Sequence, residues 1–335
     1  MNIYIISPNP VWGGAATANM SIAQMLSKDH KVYYNDEYNK ISIDGIYYDN
    51  FPVHQCKDSD KLVSHILSIK ADVVIWGIAM NLPYYKAASR IIRKQNIRQY
   101  LLFHSLAIID DIKGKVMEWM VAQSLKHIDY LVFVSKYTDI SWSKYKSVRK
   151  HPNHIVIYNP ISLSSKSPIC IQHSTNRIGF VGRFSEEKQP EIFAKLSMSN
   201  IKENTYIAWG DGILLQGLKN KYKSVKFMGQ SQCQDEIYGS FDILVMTSKF
   251  ENCPMVILEA WKYGIPCVVP NVGGIPEIVK DGYNSIIYNE YSEKCILSCI
   301  DRIQNDYEKF SRNCLRDVQN YSFDTLVDHW NSILK

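Results

Sequence analysis

The sequence predicts an α/β protein with two doubly wound domains, each a parallel sheet with helices on both faces. Three observations predict this fold class. The chain has 335 residues, which at roughly 150 residues per domain corresponds to two domains. Short apolar runs alternate with amphipathic stretches, a pattern typical of parallel strands joined by helices. The alternation restarts after residues 159–175, a Ser- and Pro-containing stretch without periodicity that we interpret as a linker.

The first series of elements lies in residues 1–160. Strands that are apolar on both faces are predicted at Ile3–Ser7, Lys31–Tyr34, Val73–Trp76, Gln99–His104, Tyr130–Val134 and His154–Ile157. Helices with apolar residues at helical spacing are predicted at Thr17–Leu26, Asp60–Ile69, Tyr84–Gln95 and Lys115–Lys126. This half is therefore expected to form the first domain.

The second series lies in residues 161–320. Its strands are predicted at Asn176–Val181, Thr205–Trp209, Val225–Phe227, Ile243–Met246 and Pro266–Val269. Its helices are predicted near Pro190–Leu196, Gln234–Ser240 and Met255–Tyr263, the last opened by Pro254 at its first position. Because open α/β sheets bind ligands at the carboxyl ends of their strands, we expect the site in a cleft where the two sheets face each other.

Composition excludes several classes of protein, and the distribution of charge indicates the kind of partner. Hydrophobic residues make up 46% and charged residues 21% of the chain, which excludes disordered, collagenous and coiled-coil proteins. The net charge is +5, from 38 basic and 33 acidic residues. Residues 1–160 hold 19 basic and 13 acidic residues, or +6, whereas residues 161–335 hold 19 and 20, or −1. The first half alone is therefore expected to meet an anionic partner.

Cysteine spacing and the distribution of apolar residues bear on cellular location. The eight cysteines include no C-x-x-C pair, which argues against a zinc knuckle or a thioredoxin-type motif. The first residues lack the basic segment of a signal peptide, and no run approaches the roughly 18 apolar residues of a membrane span. We therefore expect a cytoplasmic protein that at most lies on a membrane surface.

Residues 7–14, SPNPVWGG, follow the first predicted strand and precede a helix. Gly13 and Gly14 would let backbone N–H groups approach a phosphate or a sugar at the helix N-terminus. A tight strand-to-helix turn explains the same glycines without a ligand. The dinucleotide fingerprint G-x-G-x-x-G is absent.

Residues 179–188, GFVGRFSEEK, end the first strand of the second series. Arg183 and Lys188 would place two cations at the mouth of the sheet, where they suit a diphosphate. The alternative is a solvated loop in which Glu186 and Glu187 pair with these cations.

Residues 249–260, KFENCPMVILEA, contain two acids in different settings. Glu251 lies in a loop after a strand, whereas Glu259 lies in a helix within an apolar run. A buried carboxylate is costly unless it is paired or hydrogen-bonded. Because a carboxylate accepts from two vicinal hydroxyls, such an acid can bind a ribose or hexose diol. A core glutamate satisfied by protein donors is the alternative.

Asp58-Ser59-Asp60 has the D-x-D letters of metal-dependent transferases. It also precedes an amphipathic run, where Asp or Ser caps a helix. We interpret it as a helix cap and expect no metal site.

Taken together, these motifs resemble the retaining glycosyltransferases of family 4, which have the GT-B fold. The resemblance rests on the E-x7-E pair Glu251 and Glu259, preceded by GRFSEEK and followed by YGIPCVVPNVGGIPEIVKDGYNSIIY. It covers most of the second half, and more loosely the first half through Gly13-Gly14 and through His104 after a strand. The closing segment YSFDTLVDHWNSILK, residues 321–335, resembles the C-terminal helix that crosses back onto the first domain.

The resemblance implies a fold and a different ligand for each domain. Two Rossmann-like domains would face a central cleft. Residues 1–160 would bind the acceptor and residues 161–320 the nucleotide-sugar donor. The helix at 321–335 would pack on the first domain.

The resemblance also implies roles for single residues of the donor domain. Arg183 and Lys188 would neutralise the diphosphate, while Glu259 would hold the ribose hydroxyls and Glu251 those of the donor sugar. The remaining positions would bring backbone groups to the nucleotide: Met255 and Val256 at the phosphates, Gly210 in the turn Gly210-Asp211-Gly212, and Gly229 within Met228–Gln230 at the base.

In the first domain, Gly14 of the Gly13-Gly14 loop matches the glycine near the diphosphate. His104 matches a histidine that lines the donor sugar, so His104 and Glu251 are the predicted catalytic residues. Many members of the family have glycine and an aromatic residue after the first acid, whereas this chain has Asn252 and Cys253. The identity of the sugar therefore stays open.

The implied function is retaining transfer of a hexosyl or N-acetylhexosaminyl group from a nucleotide-sugar, with a UDP-sugar favoured. The implied acceptor is a glycan, expected to be lipid-linked, in the synthesis of O-antigen, capsule or lipopolysaccharide. No cofactor and no metal are expected. The alternatives are a nucleotide-sugar epimerase of the same fold and a non-catalytic nucleotide-sugar-binding partner subunit.

The basic residues of the first half are clustered. Residues 84–98 carry five and no acid, and residues 135–151 carry five against Asp139 alone. Residues 113–121 add Trp119 and two methionines beside two lysines. Such clusters suit an anionic membrane surface, here the inner face of the bacterial plasma membrane. Solvated helix faces are the alternative, and a nucleic-acid partner is not expected because no such motif is present.

Overall fold

The computed structural model describes residues 1–6, 13–35, 43–53, 56, 58–77, 83–107, 114–163, 175–199 and 204–335. The chain divides into two compact units. The first unit contains residues 1–162 and 323–335, and the second contains residues 163–322. The boundary lies inside the segment predicted as a linker, of which residues 164–174 fall outside the described residues.

The described part of the first unit contains a seven-stranded parallel sheet. Its strands are β1 (Asn2–Ile6), β2 (Lys31–Asn35), β3 (Ile46–Asp49), β4 (Val73–Trp76), β5 (Arg98–Phe103), β6 (Tyr130–Phe133) and β7 (His154–Val156). The strand order is β3-β2-β1-β4-β5-β6-β7. The helices are α1 (Gly14–Leu26), α2 (Ser59–Ser68), α3 (Pro83–Lys94), α4 (Gly114–Leu125), α5 (Lys136–Trp142) and α6 (Lys146–Arg149).

The described part of the second unit contains a six-stranded parallel sheet. Its strands are β8 (Arg177–Val181), β9 (Thr205–Trp209), β10 (Val225–Gly229), β11 (Ile243–Val245), β12 (Cys267–Pro270) and β13 (Ile286–Tyr288). Its helices are α7 (Pro190–Leu196), α8 (Leu215–Lys221), α9 (Gln234–Tyr238), α10 (Met255–Lys262), α11 (Ile275–Ile278), α12 (Glu293–Asn305) and α13 (Tyr307–Asp317). A 3-10 turn at Val318–Tyr321 follows.

Both sheets reverse their strand order once, as doubly wound sheets do. In the second unit the order is β10-β9-β8-β11-β12-β13, so the reversal falls between β8 and β11. Ligands of such sheets bind where the order reverses, beyond the carboxyl ends of the strands. The loops that leave β8 and β11 are therefore the ones placed to form a site.

The last helix, α14 (Phe323–Leu334), belongs to the first unit although it follows the second in the chain. Trp330 and Leu334 are fully buried. The Tyr100 hydroxyl of β5 donates to the carbonyl oxygen of Ile333 at 2.5 Å. Apolar burial and this hydrogen bond attach the helix to its sheet.

Most predicted elements are confirmed, with ends shifted by one to three residues. His104 lies just after β5 rather than at its end, and Ser7 falls outside the described residues. Two edge strands, β3 and β13, were missed because each is short and the first exposes Tyr47. The helices α5, α6, α8, α11, α12 and α13 were not predicted either, since each is short or strongly polar.

Candidate functional site

Two loops of the second unit interlock at the carboxyl ends of β8 and β9. Gly182 N donates to the Trp209 carbonyl at 3.0 Å, which holds the start of one loop against the end of the next strand. Gly210 and Gly212 adopt φ angles of +128° and +153°. A Cβ at Gly210 would lie 1.9 Å from the Gly182 carbonyl oxygen, and one at Gly212 would lie 2.5 Å from that of Phe184. The G-x-G turn is therefore required by backbone packing, and it fixes the loop that carries Arg183.

The two predicted diphosphate cations differ in their surroundings. Arg183 is exposed and forms no ion pair with any residue that the structure describes. Lys188 is one-quarter exposed, and its Nζ lies 2.6 Å from Glu251 Oε1. A second acid, Glu187, lies 3.8 Å from the same Nζ. One cation is thus open to solvent and the other is already held by the predicted sugar-binding acid.

Glu251 is buried and held from two directions. Its Oε1 accepts a hydrogen bond from the Ser248 hydroxyl at 2.7 Å in addition to the one from Lys188. Its backbone carbonyl accepts from Gly274 N at 2.9 Å. Gly273 has φ +58°, and a Cβ there would lie 1.8 Å from the Glu251 carbonyl oxygen. The Gly273-Gly274 pair therefore lets the chain pack directly on the backbone of Glu251.

Glu259 lies in α10 and is held by neutral groups. The Tyr238 hydroxyl donates to Glu259 Oε2 at 2.6 Å, and Gln234 Nε2 donates to Oε1 at 3.3 Å. Burial raises the pKa of the Glu259 carboxyl, and the Tyr238 hydroxyl partly opposes this rise. A diol placed beside this carboxylate could donate to its remaining lone pairs.

Helix α10 begins at Met255, with Pro254 at the N-cap. The expectation that Pro254 occupies the first helical position is therefore wrong by one residue, because its ψ of 115° is extended. The cap makes no side-chain hydrogen bond, and the first turn contains no acid. The positive end of the helix, where Met255 and Val256 lie, is therefore not neutralised by its own side chains.

The predicted residues of the first unit lie at the start of α1 and after β5. Gly13 is the extended N-cap of α1, and a Cβ at Gly14 would meet no atom within 4 Å. His104 Nε2 lies 2.8 Å from Asn19 Oδ1 of α1. Desolvation lowers the pKa of His104 to about 4. The ring is therefore neutral near pH 7.

The D-x-D letters form a helix cap, as predicted. Asp58 Oδ1 accepts from Asp60 N at 2.9 Å and from Lys61 N at 3.3 Å at the start of α2. Among the described residues, no group of three or more His, Cys, Asp or Glu side chains could hold a metal ion. The expectation of a metal-independent protein stays a prediction.

Acidic side chains lie beside the basic clusters of the first unit. Arg93 forms an ion pair with Asp129, and Glu118 accepts from the backbone N–H groups of Lys146 and Ser147. Trp119 is 62% exposed, and Lys86 Nζ lies 5.5 Å from its ring centroid. In the part of the chain that the structure describes, no helix is long and apolar enough to cross a bilayer.

Sequence reasoning missed Ser248, Tyr238 and Gln234, which fix the two acids. Hydroxyl and amide residues at these positions carry no signal that separates them from ordinary polar residues. The Gly-Gly pair at 273–274 did carry one, since two adjacent glycines after a strand indicate close backbone packing. In the second unit, the described residues thus provide two cations, two carboxylates and a helix N-terminus that no acid of its own helix neutralises. Together these groups suit a diphosphate flanked by hydroxyl groups.

The chain is similar in sequence to known glycosyltransferases over part of its length. Residues 175–306 match the family model described as glycosyl transferases group 1. The chain is 26% identical over 215 residues to the Escherichia coli O-antigen biosynthesis glycosyltransferase WbnH, covering 60% of this chain and 61% of that protein. It is 27% identical over 154 residues to the E. coli UDP-Gal:alpha-D-GlcNAc-diphosphoundecaprenol alpha-1,3-galactosyltransferase, covering 42% and 40%. The matches thus span about three-fifths or less of these relatives.

The fold is similar to solved structures over the whole chain. Anabaena Alr3699/HepE in complex with UDP superimposes with a TM-score of 0.78 at 17% identity, over 100% of this chain and 99% of that one. The same protein with UDP-glucose gives a TM-score of 0.76. These structures confirm the predicted GT-B fold. The matches in sequence confirm the resemblance to glycosyltransferases of polysaccharide synthesis.

Proposed function

We propose that this chain, whose second unit carries a group 1 glycosyl transferase domain, is a retaining family 4 glycosyltransferase. It moves a sugar from a nucleotide-sugar, with a UDP-sugar favoured, to a glycan acceptor. The observation that carries the proposal is the pairing of Lys188 with the buried Glu251 at 2.6 Å, eight residues before the buried Glu259. A cation for the diphosphate thus lies beside one acid for the sugar, and the acid for the ribose follows on the adjoining helix.

The charge that develops on the leaving nucleoside diphosphate needs fixed positive partners. Arg183, Lys188 and the N-terminus of α10 supply them. Glu251 accepts hydroxyls of the donor sugar, and Glu259 accepts those of the ribose. The first residues of α10, Met255 and Val256, donate their N–H groups to the phosphates.

The stereochemical course follows from the role given to Glu251. A retaining transfer through a covalent intermediate needs a carboxylate nucleophile at the anomeric carbon. Since Glu251 is proposed to accept hydrogen bonds from hydroxyls of the donor sugar, we favour front-face attack. In that mechanism the departing phosphate takes the proton of the attacking hydroxyl of the acceptor glycan. A glycosyl adduct trapped on any side chain of the protein would contradict this mechanism.

The acceptor is proposed to be a lipid-linked glycan of O-antigen, capsule or lipopolysaccharide synthesis. Two relatives support this by name, one an O-antigen biosynthesis glycosyltransferase and the other a galactosyltransferase acting on a diphosphoundecaprenol-linked GlcNAc. The exposed Trp119 beside Lys86 gives the first unit an amphipathic and basic surface that suits a membrane carrying such a lipid. The location that follows is the cytoplasmic face of the bacterial plasma membrane.

Transfer assays test the function directly. Purified protein is incubated with UDP-sugars and a lipid-diphosphate-linked GlcNAc, and the product is identified by mass spectrometry and its anomeric configuration by NMR. We expect a retained configuration and a rate unchanged by EDTA. Release of an epimerised nucleotide-sugar without acceptor would favour the epimerase, and binding without transfer or donor hydrolysis would favour the partner subunit.

Vesicle flotation tests the membrane surface. We expect recovery with anionic vesicles to exceed recovery with neutral vesicles, and the double variant Lys86→Gln, Trp119→Ala to lose most of the difference. Lys195→Gln on α7 of the second unit is the control and should float like the wild-type protein. Equal recovery with neutral and anionic vesicles would remove the electrostatic part of the proposal.

A further inference from the structure

The carboxylate of Glu251 is fixed beside the cation that would bind the diphosphate. Its Oε1 receives hydrogen bonds from Lys188 Nζ at 2.6 Å and from Ser248 Oγ at 2.7 Å. Glu251 is 8% exposed, Ser248 is 2% exposed, and Gly274 N holds the Glu251 carbonyl at 2.9 Å. These contacts keep the Glu251 carboxylate beside Lys188 when a ligand binds.

A phosphate bound to Lys188 would lie close to this charge. The ammonium group has three N–H donors in tetrahedral arrangement, so a phosphate oxygen on a second donor lies roughly 4–5 Å from Glu251 Oε1. At that separation a like charge shifts ionisation and binding equilibria by about tenfold or more. Glu251 thus lowers the affinity for a ligand that carries more negative charge on the phosphate nearest the sugar.

The donor and the product differ in this charge. In a nucleotide-sugar, the β-phosphate is esterified to the anomeric carbon and carries one negative charge. During transfer, the anomeric C–O bond breaks with its electron pair left on the phosphate oxygen, while the acceptor hydroxyl oxygen bonds to the anomeric carbon and its proton passes to that phosphate or to solvent. The bare β-phosphate ionises with a pKa of about 6, so at pH 7 and above it carries close to two charges.

We propose that Glu251 is a charge-based selectivity residue, which disfavours the bare nucleoside diphosphate relative to the nucleotide-sugar and so speeds product release. The inference rests on the proposed function. Before transfer, Glu251 Oε2 accepts from a sugar hydroxyl and faces one phosphate charge. After transfer, the hydroxyl is gone and the phosphate charge has grown, so both changes act against the product.

The chain contains a matched control for this effect. Glu187 lies 3.8 Å from the same Lys188 Nζ, but its side chain is 41% exposed and solvent screens it. Removal of its charge tests whether any neighbouring acid has the same influence. The isosteric variants are Glu251→Gln and Glu187→Gln.

Isothermal titration with UDP, UDP-glucose and inorganic pyrophosphate measures the selectivity. We expect Glu251→Gln to bind UDP and pyrophosphate about tenfold more tightly than the wild-type protein and to bind UDP-glucose more weakly. Glu187→Gln should stay within about twofold of wild type for all three. Unchanged or weaker binding of pyrophosphate by a folded Glu251→Gln variant overturns the inference. Failure of the wild-type protein to bind either uridine nucleotide instead contradicts the proposed UDP-sugar donor.

The pH dependence of binding provides a second test, in which wild type is compared with Glu251→Gln. Arg183 and Lys188, the cations proposed to meet the diphosphate, are common to both uridine ligands. The Tyr291 hydroxyl donates to the Ser248 carbonyl at 2.7 Å, and burial raises the pKa of Tyr291 so that it stays neutral.

Residues 175–322 contain no histidine. His104, proposed to line the donor sugar, has a pKa of about 4 and is neutral above pH 5.5. A change in the ratio of the two affinities with pH is therefore assigned to ionisation of the β-phosphate.

Between pH 8 and pH 5.5, the affinity for UDP relative to UDP-glucose should change in favour of UDP by about fivefold to tenfold more in the wild-type protein than in Glu251→Gln. Attraction by Arg183 and Lys188 acts in both proteins and cancels in this comparison. An equal pH dependence in the two proteins overturns the inference.

Discussion

The two acids of the second unit stand eight residues apart and are stabilised in different ways. The loop region after β11 holds Glu251 against a cation, Lys188, at 2.6 Å. The helical region of α10 holds Glu259 against a phenol, Tyr238, and an amide, Gln234. Both side chains are buried to the same degree, at 8% and 9% exposure. Burial therefore does not distinguish them, and the charge of the hydrogen-bond donor does, since the cation Lys262 acts on Glu259 only electrostatically and lowers its pKa without a hydrogen bond.

One residue type can therefore take two roles in one site. A carboxylate that shares a cation with the diphosphate makes the affinity depend on the charge of the ligand, as proposed for Glu251. A carboxylate held by neutral donors is a fixed acceptor for a diol, and it does not make the affinity depend on the charge of the phosphate. Partner charge, rather than burial or spacing, is thus the quantity that variants should alter.

Removal of the cation should have the largest effect. We expect Lys188→Gln to lower the transfer rate by about 10²–10³, because it removes one charged group that stabilises the leaving diphosphate and leaves Glu251 without a cation. Lys195→Gln on the exposed face of α7 should stay within about twofold of wild type. A Lys188→Gln rate within tenfold of wild type would contradict the ionic character given to the Glu251 region.

The backbone beneath Glu251 can be altered without any change of charge. Gly273→Ala should destabilise the protein by about 3–4 kcal/mol, because it adds a clash with the Glu251 carbonyl to the strain of positive φ. Gly282→Ala is the matched control, since Gly282 has φ +72° and its Cβ would meet only Arg302 at 3.9 Å. The control should cost about 1–2 kcal/mol in urea unfolding. Equal losses in the two variants would show that the contact with Glu251 is unimportant.

His104 extends the comparison to the first unit, because it too is a titratable group with a neutral partner, Asn19. Its pKa of about 4 lies below the ordinary value of 6.5, so between these values the unfolded chain binds a proton that the folded chain does not. Stability is therefore present above pH 6.5 and is lost as the pH falls towards 4. We expect the His104 contribution to fall by about 2 kcal/mol between pH 7.5 and pH 5.

The measurement is the free energy of unfolding of wild type and of His104→Gln at both pH values. The variant should lose this part of the pH dependence, whereas the exposed His329→Gln should retain it. Parallel pH profiles for wild type and His104→Gln would contradict a neutral imidazole in the folded protein.

Tyr238→Phe should have the smallest effect, because Gln234 continues to donate to Glu259. We expect a loss of about 1–2 kcal/mol in stability at pH 7 and a further rise in the pKa of the Glu259 carboxyl, since the lost hydroxyl lowers it. Urea unfolding and NMR titration measure the two effects. Tyr263→Phe, which removes a hydroxyl bonded to Asp235 at 2.5 Å, is the control and should leave the titration of Glu259 unchanged.

The sequence predicted the architecture and the residues that carry charge, but not the groups that hold them. The apolar runs of β4 and β9 have the bounds predicted for them, because continuous apolar strands with flanking helices leave little choice of structure. The edge strand β3 was missed because its IYYD sequence alternates weakly and ends on an acid. Ser248 and Tyr238 could not be found, since a donor is identified only once its acceptor has been placed in space.

The path of the chain has a practical consequence for recombination between related proteins. The second unit is one continuous segment, residues 163–322, inserted into a first unit that resumes at Phe323. An exchange of the second unit therefore needs two crossover points, at about residues 162 and 323. A single crossover near the middle would join α14 from one parent to the first unit of the other, and its contact with Tyr100 would then depend on a foreign surface. We expect cassettes with both boundaries to give folded hybrids more often than simple halves.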